Sequence, residues 1–250
     1  MKLIDSHIHV GQYYHIYTSP QDLLRLFDAV GVEQFAVSST SICEGNYDKV
    51  LNELQELSTI AHERVFPVLW IVPAMLKDGG LERFLSSDIQ WKCLKIHPQL
   101  NPFYWQHNSA DLEVVISLAK KLNVPILIHT GEKEGCEPLL FKEAIAANQS
   151  VKFILAHARP LEQTITLMKA YPNVWADTAF VPTESVVKLC DDGFFDRIMW
   201  GTDYPIPRYF HPKADMQLYY EKLLSALQKS VSQDVYNKIT SENFLRCYGI

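Results

Sequence analysis

Short apolar runs and amphipathic segments alternate along the chain. Runs rich in β-branched and apolar residues predict eight strands, at 3–9, 34–40, 65–72, 93–98, 124–130, 151–157, 173–179 and 197–203. Apolar residues at helical spacing predict the segments between them, at 20–30, 47–62, 79–86, 109–123, 138–148, 160–170, 183–191 and 213–229, and a last one at 232–246. Strict alternation of strand and helix favours a parallel sheet with crossover helices.

The first helix carries the clearest boundary signals. Ser19 is a good N-cap, Pro20 suits the first helical position, and Gly31 suits the residue that ends a helix. The sequence therefore predicts a helix at 20–30 between the first two strands.

The number of repeats indicates the fold class. Eight strand–helix units in 250 residues favour an α/β protein closed into a single (β/α)8 TIM barrel, with an extra C-terminal helix at 232–246. No Gly/Ser-rich linker or low-complexity segment interrupts the pattern, so we expect one domain over residues 1–250.

Composition narrows the choice of partner and compartment. A net charge of −6 without long runs of either sign argues against nucleic acid or an anionic membrane as the main partner. Five dispersed cysteines without a C-x-x-C pair suggest reduced thiols, and the sequence contains neither a signal-peptide pattern nor a run long enough for a membrane span. We expect a soluble, cytoplasmic protein that acts on a small molecule, with a homodimer possible.

Polar side chains mark the ends of several predicted strands. His7 and His9 lie two residues apart in the first strand and therefore share a face. His129 ends the fifth strand, His157 the sixth and Asp203 the eighth. Carboxyl ends of barrel strands meet at one rim, so these five side chains are expected to converge. Imidazole and carboxylate ligands without a thiolate suit Zn²⁺, or another divalent ion such as Mn²⁺.

A metal at this rim would supply a nucleophile for hydrolysis. A bound divalent ion lowers the pKa of its water ligand to about 7, so hydroxide is available at neutral pH. Asp203 is best placed to accept the proton of that water. His157 would stabilise an oxyanion or act as general acid or base, unless it is a fifth metal ligand.

The motifs together resemble the amidohydrolase superfamily, in particular its amidohydrolase-related branch, which includes aminocarboxymuconate semialdehyde decarboxylase and related lactonases. The resemblance rests on IDSHIH at 4–9, LKIHP at 94–98, ILIHTG at 126–131, ILAHAR at 154–159, WGTDYP at 200–205 and the Asn-x-x-Arg ending at 243–246. It implies one metal ion held by His7, His9, His129 and Asp203, with His157 as the catalytic group. Some lactonases of this branch work without a tightly bound metal.

Other residues have weaker claims on the site. Lys95 is expected to be a barrel lysine that pairs with Asp5 or with a substrate carboxylate, although in binuclear relatives a carboxylated lysine bridges two metals. Arg159 has the geometry to bind a substrate carboxylate or to form a surface ion pair. Aromatic residues in the loops suit a planar substrate, although some of them are expected to be structural. The set is Tyr13, Tyr14, Tyr17, Phe103, Tyr104, Trp105, Phe180, Tyr204, Tyr209 and Phe210. Of these, Tyr204 is the one assigned to substrate binding.

Three functional hypotheses follow from these residues. The first is a metal-dependent hydrolase that uses metal-bound hydroxide on an amide, ester or lactone in a small, carboxylate-bearing substrate. The second is a non-oxidative decarboxylase of an aromatic or unsaturated acid on the same site. The third is a non-catalytic metal- or ligand-binding barrel, which would be supported by a closed rim without access to Asp203.

Overall fold

The strands form one large curled sheet. The computed structural model describes residues 2–100 and 103–250. Its strands are β1 Leu3–Tyr13, β2 Ile16–Thr18, β3 Val32–Ser39, β4 Val65–Trp70, β5 Cys93–Ile96, β6 Gln99–Leu100, β7 Phe103–Tyr104, β8 Ile126–His129, β9 Phe153–Ala156, β10 Val174–Asp177 and β11 Ile198–Met199. The large sheet has nine of them, in the order β11-β10-β9-β8-β5-β4-β3-β1-β2. All described neighbours in this sheet pair in parallel except β1 and β2, which form a hairpin.

Helices follow the parallel strands. They are α1 Pro20–Val30, α2 Tyr47–Ile60, α3 Gly80–Leu85, α4 Ala110–Leu122, α5 Lys142–Ala147, α6 Leu161–Ala170, α7 Thr183–Leu189, α8 Ile206–Phe210, α9 Met216–Ser230, α10 Gln233–Asn237 and α11 Asn243–Tyr248. The predicted boundaries of α1 are confirmed, since the Ser19 side chain accepts a hydrogen bond from the Asp22 N–H and Gly31 has a left-handed φ of 76°.

Hydrogen bonds join the two ends of the parallel sheet. The Ser6 N–H donates to the Trp200 carbonyl at 2.9 Å, and the Asp203 N–H donates to the His7 carbonyl at 2.8 Å. Ile8 also forms a parallel bridge with Tyr204. The first strand and the segment after β11 therefore lie side by side, which brings His7 and His9 next to Asp203.

Two apolar clusters cover the two faces of the strands. The larger contains strand and helix side chains, among them Leu23 and Phe27 of α1. The smaller joins side chains from the strands to Phe244, Cys247 and Tyr248 of α11. Because strand side chains alternate between faces, the second cluster lies on the opposite face of the sheet from α1, and α11 packs against it.

Several elements differ from the sequence-based prediction. Strand β1 continues to Tyr13 because it pairs with β2 in a hairpin that the alternating pattern did not indicate. The second short hairpin, β6–β7, was also missed. The eighth strand is only Ile198–Met199, since the chain turns towards β1 beyond it. All five cysteines are free, and none of the helices described is both long and apolar enough to cross a membrane.

Candidate active site

The predicted site residues lie at the carboxyl ends of the strands. His129 is the last residue of β8, His157 follows β9, and Asp203 follows β11. The backbones of His157 and Asp203 have positive φ angles of 70° and 58°. Non-glycine residues rarely adopt this conformation, and it concentrates at functional sites, where surrounding contacts hold it. The turns that end these strands are thus shaped to aim the two side chains.

The two histidines of β1 present the same ring nitrogen to Asp203. His7 Nδ1 lies 2.9 Å from Asp177 Oδ2, and His9 Nδ1 lies 2.8 Å from Ser38 Oγ. Their Nε2 atoms lie 3.3 Å and 2.9 Å from Asp203 Oδ1. For His7, the carboxylate at Nδ1 favours the tautomer that leaves a lone pair on Nε2, an arrangement typical of metal-binding histidines. The Ser38 hydroxyl at His9 Nδ1 can donate or accept.

Lys95 reaches the same point from β5. Its Nζ lies 2.8 Å from His7 Nε2 and 3.2 Å from His9 Nε2, and the ammonium sits 4.6 Å from the centre of the Trp70 ring. The expected pairing of Lys95 with Asp5 is wrong. The Asp5 carboxylate instead accepts hydrogen bonds from Thr202 and Tyr220, because it lies where β1 meets the last strand segment.

His129 and His157 form a second pair next to the first. His157 Nε2 lies 3.0 Å from His129 Nδ1, and His157 Nδ1 lies 3.1 Å from the Ala179 carbonyl oxygen. The His129 ring stacks on that of His97, with centroids 3.7 Å apart. Two described groups of side chains have potential ligand atoms within 4.8 Å of one another. One is His7, His9 and Asp203, and the other is His7, His157 and Asp177; neither contains His129.

Burial keeps the histidines neutral. It lowers the pKa values of His7, His9 and His129 well below the usual range, and the neighbouring Lys95 lowers them further. The pKa of His157 falls to about 4 for the same first reason, although Asp203 and Asp177 oppose the shift. Burial also lowers the pKa of Lys95 to about 8. Neutral imidazoles are the form that binds a metal ion.

Three residues of the site were not predicted. Asp177 ends β10 and contacts both His7 and the His157 backbone N–H. The rule that identified the histidines, a polar residue at the end of a strand, would also have found it. His97 directly follows β5 and meets the same rule. Ser38 carries no comparable signal, because a serine near a strand end is common.

The two remaining predicted residues have different surroundings. The Nε atom of Arg159 is buried without a hydrogen-bond partner among the described residues. Of the two roles expected for Arg159, a surface ion pair is not found among those residues, and binding of a substrate carboxylate stays a prediction. Tyr204 is buried, and its ring packs against Tyr220 at a centroid distance of 6.3 Å. The Asp203 side chain keeps 10% of its surface exposed, although the residue as a whole is buried.

A buried carboxylate supports the histidine strand from behind. Glu53 of α2 accepts hydrogen bonds from Ser39 Oγ at 2.5 Å and Ser41 Oγ at 2.9 Å. Ser39 directly follows Ser38, the partner of His9. Gly11 of β1 packs onto this cluster with φ +90°, and a Cβ there would lie 2.6 Å from Glu53 Oε2. The cluster thus joins β1 to the end of β3.

The sequence profile of the Amidohydrolase family matches residues 4–250. The chain belongs to this family. The superfamily suggested by the motifs is therefore confirmed, and with it an enzyme fold of hydrolase type. A search of the curated proteins finds no significant match.

Solved structures with similar folds include other members of the superfamily. A probable 2-pyrone-4,6-dicarboxylic acid hydrolase from Acinetobacter baumannii, with citric acid bound, has a TM-score of 0.72 and 14% identity over 100% of both chains. The 4-oxalomesaconate hydratase from Rhodopseudomonas palustris has a TM-score of 0.71 and 11% identity, over 99% of this chain and 95% of that one. Dihydroorotase from Campylobacter jejuni has a TM-score of 0.68 and 14% identity, over 100% and 83%. At this identity the likeness concerns the fold.

Proposed function

We propose that the protein is a divalent-metal-dependent hydrolase that cleaves an amide, ester or lactone bond in a small, carboxylate-bearing substrate. The observation that carries the proposal is the convergence of His7 Nε2 and His9 Nε2 on Asp203 Oδ1, with both Nδ1 atoms engaged elsewhere. Two oriented imidazoles and a carboxylate form a donor set that fits Zn²⁺, or Mn²⁺ as the second choice.

The hydrogen bonds around His157 support His129 as the fourth ligand. The Ala179 carbonyl can only accept, so the neutral His157 ring carries its proton on Nδ1. His157 Nε2 then accepts a hydrogen bond from His129 Nδ1, which leaves a lone pair on His129 Nε2. This tautomer is inferred from the hydrogen-bond network. It gives His129 the form that a metal requires.

The chain's own residues would then divide the work of hydrolysis. A bound divalent ion supplies a Lewis acid that makes a water nucleophilic near neutral pH. The Asp203 carboxylate would accept the proton of that water and pass it to the leaving group. The lone pair of His157 Nε2 accepts the hydrogen bond from His129 Nδ1, so His157 would act as a base only when that bond opens. Arg159, whose Nε lacks a described partner, suits a carboxylate on the substrate.

Elemental analysis of protein purified without chelator tests the metal assignment. We expect about one zinc or manganese per chain, loss of the metal in His7→Ala, and loss of turnover on chelation that is restored by Zn²⁺ or Mn²⁺. The substrate screen covers amides, esters and lactones and records carbon dioxide release. Decarboxylation without hydrolysis would replace the proposed reaction, and full turnover by Asp203→Asn would remove Asp203 as the proton acceptor.

A second candidate is hydrolysis without a metal. It is favoured by Lys95, whose ammonium lies between the Nε2 atoms of His7 and His9, where a shared ion would bind. In this case Lys95 supplies the positive charge, and Asp203 and His157 move the proton unaided. Activity in metal-free protein, abolished by Lys95→Met, would support this candidate over the first. About two ions per chain would instead favour a carboxylated Lys95 as a bridging ligand.

We also propose that residues 1–250 form one domain, a closed (β/α)8 barrel with an extra C-terminal helix. The hydrogen bonds between β1 and residues 200–204 support closure, and the packing of α11 on the strands supports the extra helix. Limited proteolysis that released a stable fragment would contradict a single domain.

A further inference from the structure

A continuous row of aromatic rings leads from His157 to the protein surface. The Phe180 ring lies 6.2 Å from that of His157, between centroids, and 6.0 Å from that of Phe210. Tyr209 follows at 5.3 Å from Phe210. We call this set, with Tyr13 and Tyr14, the aromatic row.

The outer end of the row comes from a different part of the chain. Tyr13 and Tyr14 of the β1–β2 hairpin lie 5.4 Å and 5.2 Å from Tyr209, between centroids. All these spacings fall in the range of favourable aromatic contacts. Three separate segments, the hairpin, the loop after β10 and α8, therefore contribute to one surface that begins at the catalytic histidine.

The row exposes large apolar surfaces to solvent. Tyr14 is 70% exposed and Phe210 is 58% exposed. Contiguous exposed apolar surface is uncommon on soluble proteins, and where it adjoins a polar site it is typical of ligand binding. The sequence had suggested a wider aromatic wall. Of that set Tyr204 is buried elsewhere, and the side chain of Phe103 lies outside the described residues.

The backbone at two members of the row is strained in the same way as at the catalytic residues. Phe180 and Tyr14 have positive φ angles of 57° and 49°. Four other described non-glycine residues share this conformation. His157, Ala158 and Asp203 lie in the turns of the site, and Asn123 ends helix α4. Bulky residues avoid this region unless other contacts impose it. Tyr14 lies in the two-residue turn of the β1–β2 hairpin, where a positive φ is usual. The strain that links the row to the active site is therefore that of Phe180, next to His157.

We propose that the aromatic row binds a planar, conjugated ring of the substrate and so selects aryl-bearing amides, esters or lactones over their saturated analogues. The inference deepens the proposed function, on which it rests for the position of the scissile bond near His157. Neighbouring rings cross steeply, at 82° between Tyr13 and Tyr209 and 89° between Phe180 and Phe210. The row therefore offers both ring faces and ring edges, which a flat ring can contact and a puckered ring cannot match.

The test compares benzoate with cyclohexanecarboxylate in ligand-observed NMR titrations of the metal-loaded protein. The two ligands share their charge and approximate size but differ in planarity. We expect benzoate to bind about two- to tenfold more tightly, the size of an aromatic–aromatic preference. Phe210→Leu and Tyr209→Leu should lose this preference, because leucine keeps the apolar surface without the ring. Tyr236→Leu in α10, outside the row, is the matched control and should keep it.

Each other outcome would overturn the inference. The inference fails if benzoate and cyclohexanecarboxylate bind with equal affinity or if neither binds. It also fails if the preference for benzoate survives in Phe210→Leu and Tyr209→Leu, because the row is then not the ring-selective site. A wild-type dimer that dissociates in Phe210→Leu, measured by analytical ultracentrifugation, would assign the row to contact between copies of the chain. Because binding is measured without turnover, selective binding in a protein that hydrolyses nothing would leave the row standing while the proposed function fails.

Discussion

Gly11→Ala is the most informative single substitution behind the active site. The glycine has φ +90°, and its added Cβ would lie 2.6 Å from Glu53 Oε2, 2.6 Å from Ser41 Oγ and 2.8 Å from Ser39 Oγ. A left-handed conformation costs alanine about 1–2 kcal/mol. To admit the methyl group, the Glu53 carboxylate must also give up at least one hydrogen bond, worth about 1.5–3 kcal/mol for a charged acceptor. We expect a total destabilisation of about 2.5–5 kcal/mol.

The assay is urea unfolding followed by far-UV circular dichroism. Gly31→Ala is the matched control, because Gly31 has φ +76° and nothing lies within 4 Å of its added Cβ. It carries the backbone strain alone and should cost about 1–2 kcal/mol. In a Ser41→Ala background the cost of Gly11→Ala should shrink, since one of the three opposing oxygens is gone. Equal costs for Gly11→Ala and Gly31→Ala would refute the steric argument.

Three further substitutions test the electrostatics of the site. Burial raises the pKa of Glu53 above 4.5, so the folded state binds this proton more tightly than the unfolded state does. The free energy of unfolding therefore falls as pH rises through the folded pKa, by at most about 1.4 kcal/mol per pH unit. Glu53→Gln should remove this loss in urea titrations at about pH 5 and 8, and parallel pH profiles of variant and wild type would contradict it. Tyr220→Phe removes a hydrogen bond to the buried Asp5 carboxylate and should cost about 1.5–3 kcal/mol, whereas Tyr219→Phe, the control, should cost little. His157→Gln should lower kcat by about 10²- to 10⁴-fold with unchanged metal content. Loss of the metal would contradict a purely catalytic role and show that His157 holds the ion, as a ligand or through His129.

Much of the site follows from the positions of polar residues relative to the strands. Strand side chains repeat every two residues, so His7 and His9 share a face wherever β1 lies. The histidines after apolar runs and Asp203 lie near strand ends because each run stops at a turn. The same rule would have found Asp177 had it been applied to the seventh strand. The family motifs added the superfamily and the hydrolase-type fold.

The contacts between these residues do not follow from the positions of polar residues along the sequence. Asp177 is 170 positions from His7 in the chain, and their hydrogen bond depends on how far the sheet curls. The same holds for the Lys95 ammonium between the two imidazoles, which a sequence-based pairing with Asp5 placed wrongly. The aromatic row depends on the β1–β2 hairpin, which the alternating pattern did not reveal.

The sequence by itself thus determined the alternation of the main parallel strands and helices, the faces of the strands and the residue types at their ends, because these follow from local periodicity and capping. Only the tertiary structure decided which nitrogen of each histidine meets a partner, which cation lies among them and which of the aromatic residues join. The physical reason is that hydrogen bonds and ring contacts act over a few ångströms between distant segments, and the curl of the sheet sets those distances.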